Sequence, residues 1–345
     1  MRRMARMPDD LTHSSTCPVR RACAVLALAA LMLQPACGRA QGEGATEAYP
    51  AKPVRLIVPY APGGPTDTLS RIVAKALAER WKQQVVVDNR AGANGIIGAT
   101  YAARAAPDGY TLFLGNSGVL TSNPALYSKL PYDPLKDFAP VSNLAAAPLM
   151  LVAHPSLHIS TIPQLVKLAK SHPGELTFAS GGAGGVAHLA GELLNSMSGI
   201  KTVHIAYKGA APALTALLGG QVSFNYTSIV TALPHVKAGR IVGVAVTTEK
   251  RSPALPNIPA IGESIPGYEV TAWYGIVLPA GAQPALIQRI NTDLVAVLHD
   301  KAIEERVVTD GGAIAAGSPE SFRKLIRSDI AKWMRLAKSA QLKLD

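Results

Sequence analysis

The chain has 345 residues, 48% hydrophobic and only 5% aromatic, with 30 Gly and a formal net charge of +11. That length and apolar content suffice for one large or two medium domains with buried cores, and they exclude a disordered or fibrous chain. Lys and Arg are scattered, with no dense block and no interleaved aromatics, so the expectation is a basic soluble surface and no nucleic-acid partner.

At the N-terminus, Arg20 and Arg21 precede an apolar run, Ala22 to Leu33, that is too short to span a bilayer comfortably. Small residues follow Pro35 and Ala36, and Ala40 suits a cleavage position, so residues 1–40 read as an export signal. They carry six Arg against two Asp, and without them the net charge is +7. A start at Met7 and a lipoprotein signal ending at Cys37 are alternatives, the latter opposed by Gln34 and Pro35. All three cysteines (Cys17, Cys23, Cys37) lie in this leader. Cleavage after Ala40 would leave no disulfide, thiol nucleophile or Cys-ligated metal. No later apolar run is long enough for a membrane span.

From residue 54 onward, short β-rich runs alternate with helical patterns. The pattern predicts strand Val54–Val58, then a helix over Thr68–Arg80 with Leu69, Ile72, Val73, Ala76 and Leu77 on one face. Strand Val85–Asp88, helix Gly95–Ala105 and strand Thr111–Gly115 follow. A second series opens with strand Leu149–Ala153 and helix Ile162–Ser171, capped by Ser160 or Thr161. It continues with strand Leu176–Ser180, helix Val186–Met197, strand Thr202–Ala206, helix Ala211–Leu218, and strands Val222–Tyr226 and Ile241–Val246. A Pro-rich connection (Pro253, Pro256, Pro259, Pro266) leads to strand Tyr274–Leu278, helix Pro284–His299 and a long amphipathic helix over about Pro319–Ala340. The alternation predicts α/β architecture, with parallel sheets covered by helices on both sides. Two such blocks predict two lobes with a cleft between them.

Two Gly-rich stretches, one in each block, lie between a strand and a helix. The first is Val58-Pro59-Tyr60-Ala61-Pro62-Gly63-Gly64-Pro65-Thr66-Asp67; the second is Ala179-Ser180-Gly181-Gly182-Ala183-Gly184-Gly185-Val186. In a parallel sheet this junction sits at the carboxyl end of a strand, where ligands bind. Glycine lets the backbone come close to a ligand. The helix start supplies unpaired N–H groups and partial positive charge, which suit a carboxylate or phosphate. Neither stretch has Lys or Arg, so backbone N–H groups, the hydroxyls of Thr66 and Ser180, and water would hold the anion. Facing each other, the two turns would suit a molecule with an acidic group at each end. Each also reads as an ordinary βα turn, with Asp67 as a helix cap.

The candidate ligand contacts in the first turn are Tyr60, Pro62, Gly63, Gly64, Thr66 and Asp67. In the second they are Ser180, Gly181, Gly182, Ala183, Gly184, Gly185, Val186 and His188. Asn116 and Ser117, Tyr207, and Thr227 join them from neighbouring strand ends, where plain turns are the competing reading. A structural role is the alternative for His188. Enzyme motifs are missing: Gly115-Asn116-Ser117-Gly118-Val119 lacks the last glycine of G-x-S-x-G, and neither dinucleotide nor Walker spacing occurs. The eight His are dispersed, and Pro155 separates His154 from His158, so no metal or cofactor is expected.

Several ordered stretches are more specific than any glycine motif: "YPAKPVRLIVPYAPGGPTDTLSR", "VVVDNRAGANGIIGA", "APDGYTLFLGNSG", "LPYDPLKDFAPVS", "FASGGAGGVAHLAGELL", "YKGAAPALTALLGGQV", "VAVTTEKRSPALPNIPAIGES" and "YEVTAWYGIVLPAG". From about Tyr49 to the end, the chain resembles the receptors of tripartite tricarboxylate transporters, the TctC or Bug-type solute-binding proteins. The resemblance implies a type II periplasmic-binding-protein fold of two lobes joined by two crossovers, with lobe 1 at 41–145 and 271–345 and lobe 2 at 146–270. It implies a small carboxylate held between the two Gly-rich turns through backbone amides and ordered water. It also implies a monomeric receptor without cofactor, serving integral membrane subunits of the TctA/TctB type. A ligand-sensing role in two-component signalling, or an exported hydrolase using Ser117 and His188, are the alternatives. Ser223 and Thr227 stand where relatives often carry acids, which favours a plain acid over an amino acid as ligand.

Overall fold

A computed structural model describes residues 49–252, 255–309 and 312–345. The leader with its cysteines and Ala40, and Pro253 of the Pro-rich connection, lie outside the described residues. Strand β1 (Val54–Val58) is buried at four of its five positions. Helix α1 (Pro65–Trp81) starts with Pro65, carries Asp67 in its first turn and Arg80 in its last, and so matches the helix dipole at both ends. It buries Leu69, Val73 and Leu77, one face at four-residue spacing. Strand β2 (Val85–Asn89), helix α2 (Ile96–Ala103) and strand β3 (Thr111–Asn116) complete the first block. A π-helical turn over Gly118–Ser122 and the short helix α3 (Asn123–Leu126) precede strand β4 (Phe138–Ala153).

The second block runs through α4 (Ile162–Ser171), β5 (Thr177–Ser180), α5 (Val186–Ser198), β6 (Val203–Ala206), α6 (Ala210–Leu218), β7 (Phe224–Ser228), α7 (Ile229–Lys237), β8 (Val242–Val246) and α8 (Ile261–Ser264). Thr161 caps α4, accepting from the Gln164 N–H at 3.4 Å. Gly199, with φ of +61°, closes α5 in the left-handed region that favours glycine. The chain ends with β9 (Thr271–Pro279), α9 (Pro284–Leu298), α10 (Lys301–Thr309), β10 (Ala313–Ile314) and α11 (Pro319–Ser339).

The strands hydrogen-bond in the order β2-β1-β3-β9-β4-β7-β5-β6, with β8 and β10 also paired to β4. Strands β2, β1 and β3 are parallel, as are β6, β5 and β7. The expected all-parallel sheets are corrected here: β9 is antiparallel to β3 and β4, and β4 is antiparallel to β7 and β8. The reason is the 16-residue strand β4. Its residues 138–148 pair with β9 in the first half, and its residues 149–153 pair with β7 and β8 in the second. One strand thus carries the chain between the halves and enters each sheet against the direction of the βα units. Thr247 ties this crossing to the return: its buried hydroxyl accepts from the Leu149 N–H at 2.9 Å and donates to the Val270 carbonyl at 2.7 Å.

Strand alternation sends neighbouring residues to opposite cores. Leu56, Leu112 and Leu278 pack with Leu69, Val73, Leu77 and Leu294, while Ile57, Phe113 and Val277 pack with Trp273, Phe322 and Ile326. In the second half Leu151 joins Phe178, Leu189 and Phe224, and Met150 and Val152 join Ala179, Leu217 and Val246. Each half is therefore covered on both faces. Helix α11 serves both halves, with Phe322, Ile326 and Ile330 in one core and Trp333, Leu336 and Ala337 in the other.

Candidate ligand-binding cleft

A cavity of about 720 Å³ takes its walls from both Gly-rich turns. The first half contributes Gly63, Pro65, Thr68, Leu69, Ile72 and Asn94. The crossing strands contribute Ala145–Leu149, Ala272 and Tyr274; the second half contributes Gly181, Gly182, Ala183, Gly185, Val186, Ala187, Ala210 and Tyr226–Thr231. Val307 and Gly312 close one side. No Asp, Glu, Lys, Arg or His is among these lining residues.

In the first turn, Gly63 has φ of +91°, a conformation that favours glycine. Its N–H donates to Asp67 Oδ2 at 2.9 Å. Asp67 is buried and also accepts from Arg71 Nε at 2.9 Å and from Asn89 Nδ2 at 2.9 Å. The Arg71 bond, with the Gly63 and Asn89 bonds, lowers the Asp67 pKa to about 2. Asp67 thus clasps its own loop, and Pro65 has no N–H to offer. Of the predicted contacts here, Gly63 lines the cavity. Gly64 caps α1 and Thr66 is buried in its first turn. Pro62 is exposed. Tyr60 donates to Asn116 Oδ1 at 3.4 Å, and burial raises its pKa. Asn116 Oδ1 accepts from the Val119 N–H at 3.0 Å, and Ser117 is buried. None of these last six lines the cavity.

The second turn is built differently. Gly181, Gly182, Ala183, Gly185 and Val186 all line the cavity. A Cβ on Gly181 would sit 2.9 Å from the Ala210 nitrogen, so glycine there lets the turn press against the start of α6. Ser180 stays inside the loop: its hydroxyl donates to the Gly182 carbonyl at 2.9 Å and lies 2.7 Å from His204 Nε2. His188 Nδ1 accepts from the Gly184 N–H at 3.0 Å, and its ring stacks on His204 with centroids 3.8 Å apart. Burial, then the neighbouring His188, lowers the His204 pKa to about 4. Tyr207 donates its N–H to the Ser180 carbonyl at 3.0 Å. Two stacked imidazoles thus brace both sides of the loop, and Ser180, Gly184, His188 and Tyr207 support the cavity wall without lining it.

Three helices of the second half begin at this cavity. α5 and α6 start at Gly185 and Gly209 with no side-chain cap, and α7 starts at Ser228, whose Oγ accepts from the Thr231 N–H at 3.3 Å. None of the three has an acidic residue in its first turn. Their leading N–H groups have no helical partners and carry the positive end of the helix dipole. Thr227 lines the cavity with its Oγ1 buried and unbonded within the protein.

The sequence reading did not include the start of α7. Ser228 followed by apolar Ile229, Ala232 and Val236 was the available signal, obscured by Pro234 inside the helix. It also missed the first part of β4, where Ala145–Ala147 and Pro148 lack the usual strand composition.

Comparison with known proteins places the chain among relatives. The family profile of the tripartite tricarboxylate transporter family receptor (TctC) matches residues 69–342. Protein BugT of Bordetella pertussis is 35% identical over 300 residues, covering 86% of this chain and 92% of its own. The solved structure of R. palustris Rpa4515 with adipate matches with a TM-score of 0.74 at 34% identity, covering 86% of this chain and 99% of that one. MatC from Rhodopseudomonas palustris with bound malate matches at 0.71 and 31% identity, covering 84% and 99%.

Proposed function

The chain belongs to the tripartite tricarboxylate transporter family of receptors, and from that premise we propose that it is an exported receptor capturing a small carboxylic acid between its Gly-rich turns. One observation carries the reading: three helix starts without acidic first turns open into one cavity beside the buried Thr227 hydroxyl. Such N–H groups host a carboxylate without a cation. The adipate and malate bound by its structural relatives support that ligand class.

The acid is bound and released unchanged. His188, the one base suggested for Ser117, is committed to the Gly184 N–H and stacked on His204. Among the described residues we assign those of 49–145 and 271–345 to lobe 1 and those of 146–270 to lobe 2, with β4 as one crossing and residues 268–271 as the other; positions 41–48 of the expected lobe 1 lie outside the described residues. A ligand contacting both lobes only when they close shifts the population towards the closed form. Receptors of this family are periplasmic solute-binding proteins. The leader, cut near Ala40, would deliver this one there as a monomer that hands its acid to integral membrane subunits. Among the described residues, no helix is long and apolar enough to cross a membrane.

The test is thermal unfolding of the mature protein against a panel of small acids, after partial unfolding and refolding to strip bound ligand. An acid at about 100 times its Kd adds roughly 2.7 kcal/mol to stability and raises Tm accordingly. A raised Tm with some acids and no turnover is expected. No shift with any acid, or conversion of one, overturns the reading.

A further inference from the structure

We infer that the cleft takes a monocarboxylate whose far end is uncharged, and not a dicarboxylate. The inference rests on the receptor reading above and specifies its substrate class. The two Gly-rich turns resemble each other in sequence, but they are electrostatically unequal. In the second half, α5, α6 and α7 present helix starts without acidic residues, and the buried Thr227 Oγ1 has no partner within the protein. That half can hold an anion.

The first half differs in charge: no side chain caps α1, but its first turn already carries a carboxylate. The Asp67 carboxylate occupies the first turn of α1, takes the Gly63 N–H, and offsets the positive end of the helix dipole. Pro65 removes another donor. The nearby cation, Arg71, is turned away from ligand duty: Nε bonds Asp67 at 2.9 Å and Nη2 reaches Asn89 Oδ1 at 3.3 Å. What remains on this side of the cavity is largely apolar, with Leu69, Ile72 and Val307 in the lining. The Thr68 and Tyr274 hydroxyls and the Asn94 amide, whose Nδ2 donates to Asn123 Oδ1 at 3.1 Å, are the polar side chains on this side, and they suit a neutral hydroxyl, carbonyl or amide. A second carboxylate there would lose its hydration against apolar walls, gain no cation among the described lining residues, and lie on the side that the Asp67 carboxylate backs. A mostly apolar pocket with a few polar groups at one end fits a ligand with an apolar body.

The test is titration calorimetry of the stripped mature chain with matched acids differing in one carboxylate: butyrate and succinate, hexanoate and adipate, benzoate and terephthalate. For the pair that binds, the monocarboxylate is expected to be tighter by at least about tenfold. A dicarboxylate binding as tightly or more tightly overturns the inference while leaving the carboxylate-receptor reading standing. Binding by no member of any pair overturns both. Thr68→Lys places a cation at the apolar end, on an α1 position that faces the cavity. With folding verified by circular dichroism, it should shift the preference towards the dicarboxylate by about tenfold. An unchanged ratio would show that the far end of the ligand does not lie against α1, and the inference would fall.

Discussion

Replacing Asp67 by Asn tests whether the first turn is held by a charged clasp. The change preserves shape but disturbs three bonds. Oδ2 accepts from both the Gly63 N–H and Arg71 Nε, and Oδ1 accepts from Asn89 Nδ2. An amide oxygen can replace only one of those acceptor positions. If it faces Gly63 and Arg71, its NH2 confronts the Asn89 NH2. Turning Asn89 over to relieve this would break its 3.0 Å bond to the Tyr60 carbonyl and present NH2 to Arg71. One donor is left unsatisfied in either arrangement. The lowered pKa of about 2 points the same way. Arg71 is half exposed, so solvent weakens the pair, and the expected loss on Asp67→Asn is about 1–2 kcal/mol. That corresponds to a fall in Tm of roughly 2–3 °C for a chain of this size.

A carboxylate with a folded pKa below its unfolded value stabilises the protein fully above about pH 4, and that stabilisation is lost as pH falls towards 2. Urea unfolding at pH 7, and then from pH 5 downwards while the protein stays folded, reads both effects. The wild type should lose stability more steeply on acidification than the Asn variant. Equal stability at pH 7 together with equal acid slopes would refute the clasp.

Other outcomes follow from the same geometry. Gly181→Ala places a Cβ 2.9 Å from the Ala210 nitrogen and 3.0 Å from the Gly209 carbonyl carbon, so backbone at the α6 start must shift. It should cost about 1–3 kcal/mol and weaken acid binding by about tenfold in calorimetry. Gly199→Ala, strained by its φ of +61° but remote from the cavity, should reduce stability alone. His204 is held neutral in the fold, so the unfolded chain takes up its proton first, and the Tm should fall as pH drops from about 6.5 towards 4. His204→Gln should flatten that part of a Tm–pH profile; His188 and Glu192, which also face this ring, remain in both proteins. Thr247→Val leaves the Leu149 N–H without its side-chain partner at the crossing and should cost about 1–3 kcal/mol in urea unfolding.

The helix and strand alternation was legible because each βα unit has its own periodic apolar face, as Leu69, Val73 and Leu77 show on α1. The direction of the central strands was not. Nothing in the apolar run Leu149–Ala153 announces that it continues a strand beginning at Phe138, since Pro140 and Pro148 interrupt the pattern and Ala145–Ala147 have little strand preference. Helix α7 was hidden by Pro234 in the same way. At the cleft, the glycines betray both turns, because a positive φ or a close backbone approach leaves few alternatives. Side chains within the turns are less legible. Asp67, Ser180 and His188 have the residue types and spacing of ligand contacts, yet their polar atoms are directed into their own loops. Spacing along a chain does not distinguish a side chain that points at a ligand from one that holds the loop in place.

Helix α11 lies across both cores, and Phe113 of β3, paired with Ile57 of β1 on one side, finds its other sheet neighbour in Val277 of β9. A chain emerging from its N-terminus therefore completes neither half until its final segment has arrived. Before that, β3 lacks β9, and the surfaces awaiting Ile326 and Trp333 stay uncovered. Removing residues 319–345 should consequently give a collapsed chain instead of a smaller folded protein. For a chain threaded leader-first across a membrane, as proposed above, this order of assembly has a use. Late-arriving contacts delay tight folding, and a polypeptide that folds late remains narrow enough to pass through a pore.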